Sequence, residues 1–155
     1  MGSTTLTAPG GLKEGDSTFR PVDLRPHKQS WPTLVVECGV SQSLRRLVAD
    51  SRWWLDNSGA EVKIIILISV SETARSIHFE KWGMGNVPNQ QATCESPNTF
   101  IGMPTKTHEL DIAGDVVTGG PLGLEFEKTM LRQPRPGEGD IIFDTQELER
   151  FATYV

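Results

Sequence analysis

Three stretches of the chain carry a clear hydrophobic period. From Thr33 to Gly39 the run Thr-Leu-Val-Val-Glu-Cys-Gly is short, apolar and partly β-branched, and it follows Pro32. That pattern predicts a buried strand. Leu44, Leu47, Val48, Trp54 and Leu55 then recur at three- and four-residue intervals, with small Ser51 on the same face. They predict an amphipathic helix with Ser41 as N-cap and Gly59, after Asn57-Ser58, as a left-handed cap. The near-continuous apolar run Val62 to Val70 predicts a central strand covered on both faces. Ser76 to Trp82 alternates apolar and polar residues and reads as its hairpin partner.

The rest of the chain is less regular. Residues 1–13 read as an arm or an edge strand, Ser17 to Val22 as a strand interrupted by Pro21, and residues 23–31 as a loop. Residues 83–108 are rich in Gly, Pro and Asn without a period. They read as a long loop, which in a compact domain implies a function. Leu110 to Val117 predicts a strand, Gly119-Gly120-Pro121 a turn, Leu122 to Phe126 a further strand and Arg132 to Gly139 a loop. Ile141 to Phe143 predicts a short strand. Asp144-Thr-Gln-Glu147 has the form of a capping box, opening a helix with Leu148, Phe151, Ala152 and Val155 on one face. The expected class is α/β (α+β), a mixed central sheet with a strand–strand–helix–strand core and a C-terminal helix.

Composition narrows the classes. A chain of 155 residues fits one domain, residues 1–155, long enough to bury about two-thirds of its unfolded surface. No apolar run approaches the roughly 20 residues of a membrane span. The N-terminus lacks a basic flank followed by an apolar stretch, so no secretory signal is expected. Cys38 and Cys94 are the two cysteines, in unlike contexts, and fit free thiols in a reducing compartment, cytoplasmic or nuclear. The net charge of −5 argues against a basic stripe for nucleic acid and leaves room for a local basic cleft.

The candidate chemistry is acidic. Glu37 lies inside an apolar strand, where a carboxylate is costly unless paired, hydrogen-bonded or bound to a cation. Its neighbours Val36 and Cys38 point to the other face, so Glu37 shares a face with Val35 and Gly39, and Gly39 leaves room beside it. Asp16 precedes the first strand and Arg52 projects from the helix. Each also has a purely structural reading. Glu37 would pair with Arg52 or hold a backbone amine, Asp16 in Glu14-Gly-Asp-Ser would serve a turn, and Arg52 would be a solvated helix residue.

The segment "EGDSTFRP … WPTLVVECGVSQSLRRLVADSRWWLDNSGAEVKIIILISV" resembles the restriction-endonuclease-like family of the PD-(D/E)XK nuclease superfamily. It is similar in particular to a group of uncharacterised fungal proteins of that type. The similarity spans roughly residues 14–82, with weaker agreement in the tail "GGPLGLEFEKTMLRQPRPGEGDI". The resemblance implies that Asp16 and Glu37 are the two acids that hold Mg²⁺, with Mn²⁺ as substitute. Such a hard cation prefers carboxylate and water oxygens, and it would polarise a phosphodiester and activate water. Arg52 stands where this branch often carries a lysine on the helix. Arginine stabilises phosphate charge but does not readily exchange protons.

Three functional readings follow. The first is a Mg²⁺-dependent nuclease, or a degenerate phosphodiesterase, using Asp16, Glu37 and Arg52 on nucleic acid. The second is a small-molecule enzyme in a cleft narrowed by Trp53, Trp82 and the long loop, with Glu37, Asp16 or His78 as acid or base. The third is a non-catalytic homodimeric interaction module. Smaller signals are structural. His78 and Glu80 share a strand face without a third ligand nearby in sequence. Trp53 covers itself under the 83–108 segment or meets a partner, and Cys38 reads as a small buried hydrophobe.

Overall fold

The computed structural model describes residues 5–8, 11–40, 44–89 and 99–154. The chain opens with a hairpin, β1 (Thr5–Ala8) and β2 (Gly11–Glu14), which forms a two-stranded sheet of its own. Of residues 1–13, expected as an arm or an edge strand, Thr5–Ala8 and Gly11 onward are strands paired with each other and not with the main sheet. Leu6 anchors the hairpin by burying its side chain in the core. Next come β3 (Ser17–Phe19), β4 (Leu34–Val40), α1 (Leu44–Asn57), β5 (Ile64–Ser71), β6 (Ser76–Pro88), β7 (Phe100–Ala113) and β8 (Val116–Thr118). The strands from β3 to β8 form one six-stranded sheet in chain order. Among the described residues only β4 and β5 pair in parallel, and α1 lies in the crossover between them. The expected strand–strand–helix–strand segment is thus β3–β4–α1–β5, inside a mixed α/β structure dominated by the sheet.

The apolar pattern accounts for this order. Leu47, Ser51, Trp54 and Leu55 are the buried side of α1. They pack with Val35, Ile65 and Leu67 into one core on one face of the sheet. Leu34, Ile64, Ile66, Ile77, Phe79, Leu110 and Ile112 point the other way and form a second core. With apolar side chains on both faces, β5 occupies the interior position its sequence predicts. Gly59 does adopt a left-handed conformation after α1, at φ 58°, and Ala60 follows it at φ 65°. The expected N-cap Ser41 lies outside the described residues.

The second core is covered by the C-terminal segment: β9 (Leu122–Leu124), α2 (Phe126–Met130), β10 (Ile141–Phe143) and α3 (Thr145–Ala152). β9 and β10 pair as a separate two-stranded sheet. Two polar ties dock this layer. Thr33 Oγ1 donates to the Thr129 carbonyl at 2.7 Å. Lys81 Nζ donates to the Gly123 carbonyl at 2.6 Å and ion-pairs with Glu125 at 2.8 Å. The Asp144–Glu147 capping box is fully formed at the start of α3, and Leu148 is buried.

Three expectations change. Much of the stretch read as a loop over 83–108 is strand, because β6 runs on to Pro88 and β7 starts at Phe100. Met84, Asn86, Pro88 and Phe100 to Met103 are exposed, so no buried face imposed alternation on their sequence. The strand read over Leu110 to Val117 is split by a turn at Gly114 (φ 63°). The strand read over Leu122 to Phe126 stops at Leu124, and Phe126 opens α2. Among the described residues no helix is long and apolar enough to cross a membrane.

Candidate functional site

Glu37 occupies the α1 face of β4, with Val35 on the same side. Its Oε1 accepts a hydrogen bond from Trp54 Nε1 at 2.6 Å. The side chain is buried, and burial pushes the carboxyl above its ordinary value of 4.5. The Trp54 bond and the Lys13 charge oppose that rise, while Asp16 and Asp50 reinforce it.

Asp16 stands one residue before the first paired position of β3, where Ser17 faces Val36. Its Oδ2 accepts from the Cys38 amide at 2.7 Å, which fixes the carboxyl at the edge of β4 beside Glu37. The two expected acids are thus neighbours across β3 and β4.

The cation beside them is not Arg52. That residue is exposed on α1, two positions past Asp50 and so on a different side of the helix. Lys13, on β2, reaches in instead. Its Nζ lies 2.7 Å from Asp50 Oδ1 and 3.8 Å from Glu37 Oε1, with the Trp53 ring centroid 5.9 Å away. The expected Glu37–Arg52 pair is replaced by Glu37–Trp54 and Glu37–Lys13. A signal for this was present in the sequence. Pro9-Gly10-Gly11 between two short extended runs is a hairpin signature, and a hairpin can fold Lys13 back over the sheet.

Three tryptophans wall the site. Trp31, Trp53 and Trp54 stack in tilted or edge-to-face pairs with centroids 5.2 to 6.2 Å apart. Trp53 is thus packed against Trp31, Trp54 and Lys13. Cys38 is exposed rather than buried. Burial of its neighbourhood, then Asp16 and Glu37, hold the thiol pKa above its usual value, so it stays protonated.

A second polar group lies further along the same face. His78 Nδ1 is 2.6 Å from Asp111 Oδ1, and its Nε2 is 3.4 Å from Glu80 Oε1. Trp82 Nε1 donates to Glu80 Oε2 at 2.8 Å. Lys106 Nζ donates to Glu80 Oε1 at 3.1 Å and also to Glu109. Ligand atoms of His78, Glu80 and Glu109 lie within 4.8 Å of one another. The third residue absent from the local sequence comes from β7, whose strand character the glycines and prolines concealed. Burial raises the Glu80 carboxyl, but the bonds from Trp82, Lys106 and His78 outweigh it and bring it below its ordinary value. Lys106 already serves as the cation of this group.

Comparison with protein-family models, with curated proteins and with solved structures returns no match. The chemistry of the site therefore rests on its own residues.

Proposed function

We propose that the chain is a metal-dependent, nuclease-like phosphodiesterase of restriction-endonuclease-like fold, acting from Asp16, Glu37 and Lys13. One observation carries this reading: Glu37 and Asp50 both reach the ammonium of Lys13, and Asp16 lies close enough for its charge to act on Glu37, so three carboxylates share one cation among the described residues. Their formal sum is −2, the complement of one divalent cation. Burial, and after it the charges of Asp16 and Asp50, hold the Glu37 carboxyl above its ordinary value despite Trp54 and Lys13, and a cation would favour its ionised form. Oxygen donors of this kind suit Mg²⁺ or Mn²⁺, so the residues fit the metal, with Asp16 and Glu37 as the ligands. Bound there, the metal would polarise a phosphodiester and supply an activated water.

The chain's own residues have distinct tasks. The Cys38 amide orients Asp16, and the Trp54 indole orients Glu37, so neither carboxylate must be ordered when a cation arrives. Lys13 places a proton-carrying cation where phosphate charge would develop, the task assigned from sequence to Arg52. A lysine can exchange its proton where an arginine cannot.

The test is calorimetric titration of Mg²⁺ and Mn²⁺ into the wild type, Glu37→Gln and Glu80→Gln, with cleavage assays on DNA and RNA. Binding and cleavage lost in Glu37→Gln and kept in Glu80→Gln are the expected result. Binding lost only in Glu80→Gln would move the metal to the His78 group. No binding by the wild type would end the metal-dependent reading and leave a small-molecule enzyme or a dimeric interaction module.

A further inference from the structure

On the sheet face opposite Glu37, the C-terminal layer does not fill the space it covers. Val36, Ile66 and Ile68 form the floor and Leu124, Leu148 and Phe151 the roof of a cavity of about 190 Å³. Protein interiors contain few voids larger than a water molecule. An apolar cavity of about 150 Å³ stays dry and accepts a benzene-sized molecule. This one is larger and opens to solvent on one side, and water entering it would find almost no polar partner in its lining.

We propose that the cavity is a binding site for a small aromatic molecule that is neutral or cationic. Size and wall chemistry select the ring. Phe79 and Phe151 meet edge-to-face at 5.7 Å between centroids, and both line the cavity. A guest ring extends that arrangement, with an attraction beyond its buried area. The mouth selects the charge. Glu147 is the one charged residue in the lining among the described residues. Its Oε2 accepts from the Asp144 amide at 3.0 Å in the capping box, which holds the carboxylate in place. An anionic guest would meet that charge, and a cationic one would complement it. Entry is open, since Phe143 and Phe151 line the cavity while each stays 38% exposed. The site shares no residue with the Asp16–Glu37–Lys13 cluster, so it stands or falls independently of the phosphodiesterase reading.

The test uses tryptamine as the cationic probe and indole-3-acetate as the anionic one, followed by methyl NMR of Ile, Leu and Val. The expected result is saturable shifts confined to the methyls that line the cavity, among them Val36, Ile66, Ile68, Leu124 and Leu148, with tryptamine at least threefold tighter than indole-3-acetate. Glu147→Gln should erase that preference while keeping α3, because glutamine also completes a capping box. Ile68→Phe fills the cavity and should weaken tryptamine at least tenfold. Val36→Leu adds a single methylene and serves where the larger side chain disturbs the fold. Absence of saturable shifts up to the solubility limit would overturn the proposal. So would shifts centred on the exposed Ile101 of β7. Cavity shifts that follow protein concentration rather than probe would assign the space to a second copy of the chain.

Discussion

Trp54 on α1 and Glu37 on β4 are joined by a 2.6 Å hydrogen bond inside the core, and the pair has a counterpart in the same sheet. Glu37 registers with Leu67, Leu67 with Glu80, and Glu80 with Glu109. Glu80, like Glu37, accepts from an indole, that of Trp82. Two buried carboxylates thus stand two strands apart, roughly 10 Å, each with a tryptophan donor and a lysine. Leu67 is fully buried between them. Their environments differ in one respect: Glu80 has enough donors to fall below its ordinary pKa, and Glu37 does not.

Replacing Trp54 with Phe removes the indole donor and leaves Glu37 to Lys13 alone. A buried acceptor that loses its partner costs about 1–3 kcal/mol, and Trp54→Phe should lose that much stability in urea unfolding. Combining it with Glu37→Leu should recover part of the loss, with a coupling of about 0.5–3 kcal/mol. Strictly additive losses would mean that the bond contributes nothing to folding.

Stability should depend on pH in two opposite ways. Burial raises Glu37, so between 4.5 and its raised value the folded protein keeps a proton that the unfolded chain releases. Stability therefore declines as pH rises through that window. Glu125 behaves conversely. Burial would raise it, but bonds from Lys81, its own backbone and Lys128 together bring it to about 2. Here the unfolded chain binds the proton first, so stability falls as pH drops from 4.5 towards about 2. Urea unfolding from pH 2 to 8 should show Glu125→Gln flattening the acid limb and Glu37→Gln flattening the decline above it. Unchanged profiles in both variants would refute the assignment.

How much of this was legible in the sequence follows from which side chains are buried on one face. β4, α1 and β5 carry strong apolar patterns because each packs against a core, so their type and order could be read, whereas the pairing of Asp16 with Glu37 came only from the family resemblance. The distal halves of β6 and β7 are exposed and left no alternation, so Lys106 and Glu109 could not be connected to His78. Lys13 was lost differently. Leu6 is the buried hydrophobic side chain of its hairpin among the described residues, and a single buried leucine makes no period.

The junction between β8 and the C-terminal layer depends on Gly119. Its φ is 86°, and a Cβ there would stand 2.6 Å from the Glu109 carbonyl oxygen. Both the conformation and the contact forbid a side chain. Gly119→Ala should therefore cost more than about 1 kcal/mol. The loss should appear first as weakened amide-exchange protection in α3, since the layer is hung from this turn. Equal protection in variant and wild type would show that the turn tolerates a side chain.

The last prediction separates the two cations that compete for the role at Glu37. Arg52 is exposed on α1, and Arg52→Ala should change stability by no more than about 0.5 kcal/mol. It should also leave the Mn²⁺ titration untouched. Lys13 touches both Asp50 and Glu37, so Lys13→Met removes the only positive charge recorded at Glu37 among the described residues. If Lys13 acts on substrate, the variant should keep or strengthen metal binding, because a competing cation has gone, and lose phosphodiester cleavage. Lys13→Arg then decides what kind of charge is needed. Arginine restores the charge but not a readily exchangeable proton. Recovery of cleavage in Lys13→Arg would mean that Lys13 only neutralises phosphate, whereas continued loss would make its proton part of the reaction. A large effect from Arg52→Ala, with none from Lys13→Met, would return the role to the helix.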